Sequence, residues 1–263
     1  MPSGASDGIV QGNIRKTVLP AGGAQRNTSE EKMKLSKYGR RQWLAATVIL
    51  VAGLLVSGVL MYFVFPAGCF FAAASLLVWG AFVTFFRDPH RVIGQDKTEL
   101  VAPADGIVKD MELIPNASCE EAVLRELFEG YDILRIGITQ SLFDVHIDRM
   151  PCPVTVKVKE SREKTEEKED SSFLLLGGTG EIEDTQFPVA LKQISGGKLC
   201  RIVCKAEVGD RLKKGARYGM IRYGSRMELY LPAKSPVSII ANTGERVHAG
   251  KTVLAVFSRE KQV

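Results

Sequence analysis

The sequence predicts a mainly β (α+β) protein, a compact β-barrel or sandwich, preceded by a transmembrane helical hairpin. Three observations point there. Two uncharged apolar runs of about twenty residues each, the length a helix needs to cross a bilayer core, stand early in the chain. After Arg91 the pattern changes to the period-two alternation of half-buried strands. A glycine-bracketed turn then occurs twice toward the C-terminus. At 263 residues the chain has room for one ordinary domain beside an anchor.

The elements follow in order. The start of the chain is rich in Gly, Ser, Ala and Asn with no apolar period, and 1–42 reads as a disordered basic tail. Its basic cluster is Lys32, Lys34, Lys37, Arg40 and Arg41. The apolar runs, Trp43 to Phe65 and Ala67 to Phe86, make 43–86 a two-helix anchor broken by Pro66 and Gly68. So short a turn makes the spans antiparallel. Arg40 and Arg41 before them, and Arg87 and Arg91 after, put both ends in the cytoplasm by the positive-inside rule. Arg40-Arg41 also resembles a twin-arginine export signal, but the apolar stretch is too long and a second span follows at once. The reading is a cytoplasmic-membrane protein with the rest of the chain facing the cytoplasm.

Residues 87–263 form the β-rich domain. Strand candidates are Ile107–Val108, Leu134–Ile138, Val154–Lys159, Val189–Ile194, Leu199–Val203, Met227–Leu231, Val237–Ile240 and Thr252–Phe257. Glu120 to Phe128 reads as a helix, Glu160 to Asp170 as a solvated loop, and Gly177-Gly178-Thr179-Gly180 as a surface turn. Val208-Gly209-Asp210-Arg211-Leu212-Lys213-Lys214-Gly215 resembles Thr243-Gly244-Glu245-Arg246-Val247-His248-Ala249-Gly250. Turns of this kind recur as the paired half-motifs of lipoyl-type barrels, which speaks to fold rather than chemistry.

A net charge of +5 suits an anionic membrane or substrate and is too small to argue for nucleic acid. The five cysteines have neither a disulfide framework nor a zinc ligand set, so they read as reduced thiols, and no metal is expected. The oligomeric state, including a homo-oligomer, stays open.

Three features could carry chemistry. Gly224-Ser225 is the one Gly-Ser dipeptide in the chain and lies between two strands. A serine after a glycine can attack the preceding carbonyl, because glycine leaves that carbonyl open on both faces. The resulting ester can eliminate to dehydroalanine, which hydrolyses to a pyruvoyl group. The plain alternative is an ordinary turn serine. His146, in Phe143-Asp144-Val145-His146, is either a general base or a satisfied structural residue. Asp105, in Ala102-Pro103-Ala104-Asp105-Gly106, is either the group that orients a base or turn chemistry.

Taken together, Phe85-Phe86-Arg87-Asp88-Pro89-His90-Arg91, Pro103-Ala104-Asp105-Gly106, Phe143-Asp144-Val145-His146 through Arg149-Met150-Pro151, and Ile221-Arg222-Tyr223-Gly224-Ser225-Arg226 resemble the short class of phosphatidylserine decarboxylases, archaetidylserine decarboxylase-like members included. The resemblance covers roughly 80–260 and keeps the order of the blocks. It implies self-cleavage between Gly224 and Ser225 into a β chain, 1–224, and an α chain, 225–263, that begins with a pyruvoyl cofactor made from Ser225. It places Asp105 and His146 at catalytic positions. The ketone forms an imine with the substrate amine and takes up the electron pair left by CO2 loss. The resemblance implies a serine phospholipid held in the membrane as substrate and its ethanolamine counterpart as product. Arg87, Arg149 and Arg226 are candidates for the lipid phosphate by charge. Arg149 stands where many relatives have a second histidine, and no Asn-Glu-Arg-like block is found in the divergent segment 160–187. His90 and His248 match no catalytic position and read as surface residues. The rival reading is a non-catalytic, membrane-tethered lipoyl-like adaptor, which leaves Ser225 without a task.

Overall fold

The structure, a computed structural model, describes residues 33–162, 172–183, 185–196, 201–222, 225–233 and 237–257. Its elements are β1 (Met33–Leu35), α1 (Arg40–Phe63), α2 (Phe65–Phe85), β2 (Arg87–Pro89), β3 (Glu99–Val101), β4 (Gly106–Ile114), α3 (Ala122–Leu127), β5 (Ile133–Gln140), β6 (Ile147–Arg149), β7 (Val154–Arg162), β8 (Ser172–Ile182), β9 (Thr185–Ser195), β10 (Arg201–Cys204), β11 (Arg211–Leu212), β12 (Arg217–Arg222), β13 (Ser225–Pro232), β14 (Val237–Ile239), β15 (Arg246–Val247) and β16 (Val253–Phe257).

The two helices have no charge between Trp43 and Phe86, and Pro66 sits in the first turn of α2, where its missing N–H costs nothing. Both are long and apolar enough to cross a membrane. Leu55, Phe63 and Leu77 stand about 70% exposed, so protein does not cover these faces. The helices face each other through Ser57 Oγ, which donates to the Gly68 carbonyl at 2.6 Å, and Trp79 Nε1, which donates to Thr47 Oγ1 at 3.2 Å. The strand entering the hairpin, β1, pairs antiparallel with the strand leaving it, β2, so the outer ends meet.

The β region is built on an eight-stranded sheet, ordered β11-β7-β8-β9-β13-β5-β4-β15, that curls into a half-barrel. Sheets β10-β12-β6 and β14-β16-β3 accompany it. Alternate residues point inward, as a strand's geometry demands. Val189 and Leu191 on β9, Met227, Leu229 and Leu231 on β13, and Ile136 and Ile138 on β5 form the main core with Leu100, Met150, Ile221 and Leu254. On the opposite face, Leu124 of α3 and Phe128 cover Leu175, Ala190 and Tyr230. A third cluster joins the hairpin to the β region: Phe85 and Phe86 against Val145, Ile147 and Met220, with Tyr38, Trp43 and Phe82.

The repeated turn appears as two matching units. Gly209 N–H donates to Val156 O at 2.9 Å and Gly244 N–H to Val108 O at 2.8 Å. Gly215 N–H reaches Met150 O and Gly250 N–H reaches Ala102 O, each at 2.8 Å. All four glycines have positive φ, the conformation that excludes most side chains. Ile93 lies between the units, within 2.7 Å of where a Cβ would stand on either Gly215 or Gly250.

One expectation is corrected. Gly177-Gly178-Thr179-Gly180 is no surface turn: it lies inside β8, paired with β7 on one side and β9 on the other. The glycines serve close approach rather than reversal, since a Cβ on Gly178 would stand 2.2 Å from the Thr155 carbonyl oxygen. Strands β1, β2, β3, β6, β8, β11, β12 and β15 lie outside the strands expected from the sequence; all but the glycine-rich β8 are two to six residues long. Within the solvated loop expected over Glu160–Asp170, β7 continues to Arg162, and 163–170 lies outside the described residues.

Candidate active site

At one end of the half-barrel a polar row crosses four neighbouring strands. Ser172 pairs with Ser195, Ser195 with Ser225, and Ser225 with Gln140. The next inward row is Leu174, Gln193, Met227 and Ile138, apolar except for Gln193. The sequence ends its core strands here with polar residues, so the interior changes from oil to hydrogen-bonding groups within one step along each strand.

Strand β6 lies against this end. Gln193 Nε2 donates to Asp148 Oδ2 at 2.5 Å, tying β6 to β9. His146 precedes Asp148 by two residues, the spacing that sets both on one side of an extended chain. Its ring lies tilted against Phe85, centroids 4.3 Å apart, at the last residue of α2. Both His146 nitrogens, Asp148 Oδ1, Gln193 Oε1 and Ser195 Oγ are buried without a well-formed hydrogen bond among the described residues. Buried polar atoms are rarely left so. Three of them, on Ser195, Gln193 and the Asp148 bonded to Gln193, lie on or against the strand paired with β13 and give this end unspent capacity to bind a polar group.

Asp105 sits in the turn before β4. Arg91 grips its carboxylate with both terminal nitrogens, at 2.5 and 2.7 Å, and the Ala249 N–H donates to it at 2.8 Å. Burial by itself would raise its pKa; hydrogen bonds from Arg91 and His248, the Arg91 charge and the Ala249 N–H outweigh that and hold it well below the usual carboxylate range. His248, half-exposed at the surface as the sequence reading had it, also keeps Nδ1 3.6 Å from Asp105. The Asp105 charge is a minor influence on His146 and on Asp148, raising both pKa values.

Burial is the largest influence on His146 and lowers its pKa; the backbone and carboxylate of Asp144 pull the other way. The ring is therefore neutral at neutral pH and able to accept a proton. Asp148 behaves oppositely. Burial pushes it up to about 8, against the Gln193 hydrogen bond, so it holds its proton at neutral pH. An unfolded chain ionises this group near pH ~4. Folded stability attributable to Asp148 therefore falls as pH rises from that value to about 8. In Asp148→Asn this loss is absent. The difference in melting temperature, variant minus wild type in detergent, is expected to grow between pH 5 and pH 8, and a constant difference would count against a protonated Asp148. A second prediction concerns the Asp105 turn. Gly106 has φ +149°, and a Cβ there would stand 2.3 Å from the Thr139 carbonyl oxygen. Gly106→Ala should cost at least ~2 kcal/mol, read from a denaturant melt.

The candidate arginines differ in their partners. Arg149 is buried and donates to the carbonyls of Gly215 (3.1 Å) and Pro89 (3.2 Å), beside Asp88. Burial, with Arg217 and Arg91 nearby, lowers its pKa to about 10. Arg226 makes a two-pronged pair with Asp110, both contacts 2.7 Å, and donates to Glu228 at 2.8 Å; the Asp110 hydrogen bond leads in raising its pKa. Arg87 donates to the carbonyls of Thr84 (3.0 Å) and Phe143 (2.5 Å) and meets no carboxylate among the described residues.

The family model for phosphatidylserine decarboxylase matches residues 79–255, a span that contains Asp105, His146 and Ser225. The chain belongs to the phosphatidylserine decarboxylase family. It is 32% identical over 226 residues to the phosphatidylserine decarboxylase proenzyme of Geobacter metallireducens, covering 82% of this chain and 93% of that one. The proenzyme of Geobacter sulfurreducens is 36% identical over 205 residues, 74% of this chain and 84% of its own. That of Rhodopirellula baltica is 32% identical over 244 residues, covering 87% and 90%. No solved structure matches the chain. The phosphatidylserine decarboxylase family is one of carboxy-lyases, and its proenzyme names carry processing with them.

Beyond the residues read from the sequence of this decarboxylase-family chain, the structure adds Arg91, Asp148, Gln193 and Ser195 to the site. Asp148 had a signal in the sequence, its period-two spacing from His146. Gln193 and Ser195 had a weaker one, polar residues at inward positions closing an apolar strand. The grip of Arg91 on Asp105 had none, because a fold must bring the two segments together.

Proposed function

We propose that this chain is made as a proenzyme that cuts its own backbone between Gly224 and Ser225, and that the mature form decarboxylates phosphatidylserine to phosphatidylethanolamine. The observation that supports the reading is the set of unpartnered buried polar atoms on Asp148, Gln193 and Ser195 beside the strand that Ser225 begins.

In the cutting step neutral His146 takes the Ser225 hydroxyl proton, and the oxygen attacks the Gly224 carbonyl carbon. The C–N bond breaks as His146 returns that proton to the departing Ser225 nitrogen, and Gly224 passes to the serine oxygen as an ester. Asp105 stays ionised under Arg91 and favours the protonated ring. Elimination frees the Gly224 carboxylate, and hydrolysis with loss of ammonia leaves the new N-terminus as a pyruvoyl group. The Ser195 hydroxyl, the His146 N–H and protonated Asp148 are donors that suit such a group, whose carbonyl oxygens accept hydrogen bonds; Gln193 Oε1 can only accept. When formed it supplies a ketone that condenses with the substrate amine and draws off the electrons released with CO2. The chain's own residues do the rest. Asp148, protonated at neutral pH, is the second proton carrier beside His146, in a chain whose Arg149 is occupied with Asp88 and backbone carbonyls. Arg87 is the arginine best placed for the lipid phosphate, since Arg149 and Arg226 hold internal carboxylates.

The domain plan belongs to the same proposal: a tail, 1–42, whose end carries β1 and the first residues of α1; a membrane hairpin, 43–86, with both ends cytoplasmic; and the catalytic domain, 87–263. The paired glycine turns are the lipoyl-like half-motifs of that domain. The test is intact-mass analysis of purified protein together with CO2 release from phosphatidylserine vesicles. Two chains, 1–224 and a 225–263 fragment with a blocked N-terminus, plus release of CO2, are expected. A single folded, uncut and inactive chain would overturn the reading and favour the adaptor.

A further inference from the structure

We infer that the apolar tip Leu142–Phe143 is a third membrane contact, inserted into the bilayer interface beside the hairpin. Leu142 is 58% and Phe143 80% exposed, adjacent residues on a loop between β5 and His146. The loop is braced from beneath. The Asp144 carboxylate accepts from the Ser141 N–H at 2.8 Å and hydroxyl at 2.9 Å, while its other oxygen accepts from Arg246 at 2.7 Å. The apolar pair is therefore presented on a closed turn, and little ordering entropy is lost when it meets a partner.

The partner is fixed by where the loop is held. Arg87 bridges from the Thr84 carbonyl, in the last turn of α2, to the Phe143 carbonyl. The tip thus sits level with the end of a helix apolar enough to cross a bilayer. Arg87 and Arg246 flank it with cations, an arrangement suited to an aromatic ring among acyl chains under a layer of lipid phosphate. Phe85 touches the His146 ring from the same helix end, so insertion sets His146 at headgroup depth. A lipid headgroup would then reach the site without its chains leaving the bilayer.

The test uses the full chain in phosphatidylcholine–phosphatidylglycerol vesicles, with Trp43→Phe and Trp79→Phe removing native tryptophan. Phe143→Trp then supplies one probe, and Leu113→Trp, 61% exposed at the far end of β4, supplies the control. Tryptophan at 143 should be quenched by brominated acyl chains and shielded from aqueous iodide, with the reverse at 113. Equal iodide access at both positions would overturn the inference, and this readout needs no enzymatic activity. A second arm rests on the proposed function: Leu142→Asp with Phe143→Asp should raise KM for vesicle phosphatidylserine about tenfold while self-cleavage reports an intact fold. An unchanged KM in a cleaved variant would likewise overturn it. If the charged variant fails to cleave, the fluorescence arm decides.

Discussion

Ser225→Ala is expected to leave the chain whole and to abolish decarboxylation, a loss of roughly 10⁴-fold or more, since a nucleophile that acts once to make the catalytic group has no substitute. Alanine at the first residue of β13 keeps the backbone pairing with Gln140 and Ser195, so the melting transition should stay near that of uncut wild type. Ser225→Cys, which retains a nucleophile, should still cut, more slowly. Mass spectrometry reads the chain and CO2 release reads the chemistry. Wild-type turnover from an uncut Ser225→Ala chain would sink the pyruvoyl mechanism.

Arg91→Ala should be the most destabilising single change near the site. It strips a carboxylate with a 5% exposed side chain of both of its guanidinium contacts. Breaking a buried pair on one side costs ~3–5 kcal/mol, because the other charge is left unmatched. Arg91→Ala with Asp105→Asn should recover much of that loss, though not self-cleavage. The sign with pH is fixed by the depressed Asp105 pKa. Its contribution is fully present above the unfolded value near pH ~3.9 and disappears as pH falls toward the folded one. Unfolding free energies from denaturant melts should therefore run parallel for wild type and Asp105→Asn from pH 7 to about 4 and fall faster for wild type from there to pH 2. Curves parallel throughout would mean that Asp105 is not held by Arg91 in solution.

How much of this was legible depends on the range of the signal. The hairpin was readable because twenty uncharged residues have few other uses. The paired turns were readable because positive φ at Gly209, Gly215, Gly244 and Gly250 is a local demand that glycine meets locally. The run at Gly177–Gly180 misled for the same reason. Its glycines answer to the Thr155 carbonyl on the neighbouring strand, and no local rule reports a neighbour. The site divides likewise. Ser225, His146 and Asp105 stand in short distinctive blocks, whereas the row through Ser172, Ser195 and Gln140 exists through strand register alone. Arg149 and Arg226 looked like free cations for an anionic ligand until the fold supplied Asp88 and Asp110.

The place of β13 has a consequence for the life of the molecule. The strand lies in the interior of the large sheet, between β9 and β5, and the proposed cut falls at its first residue. Before the cut, folding is a unimolecular event in which β13 finds its slot while tethered to β12. After it, the same slot is filled by a separate short peptide, and unfolding becomes dissociation. The mature protein's stability would then depend on its concentration, and a thermally unfolded sample should fail to recover on cooling at dilution where the uncut Ser225→Ala chain succeeds. Such a protein is assembled once, from a precursor that carries its own folding template, and persists by the slowness of its disassembly.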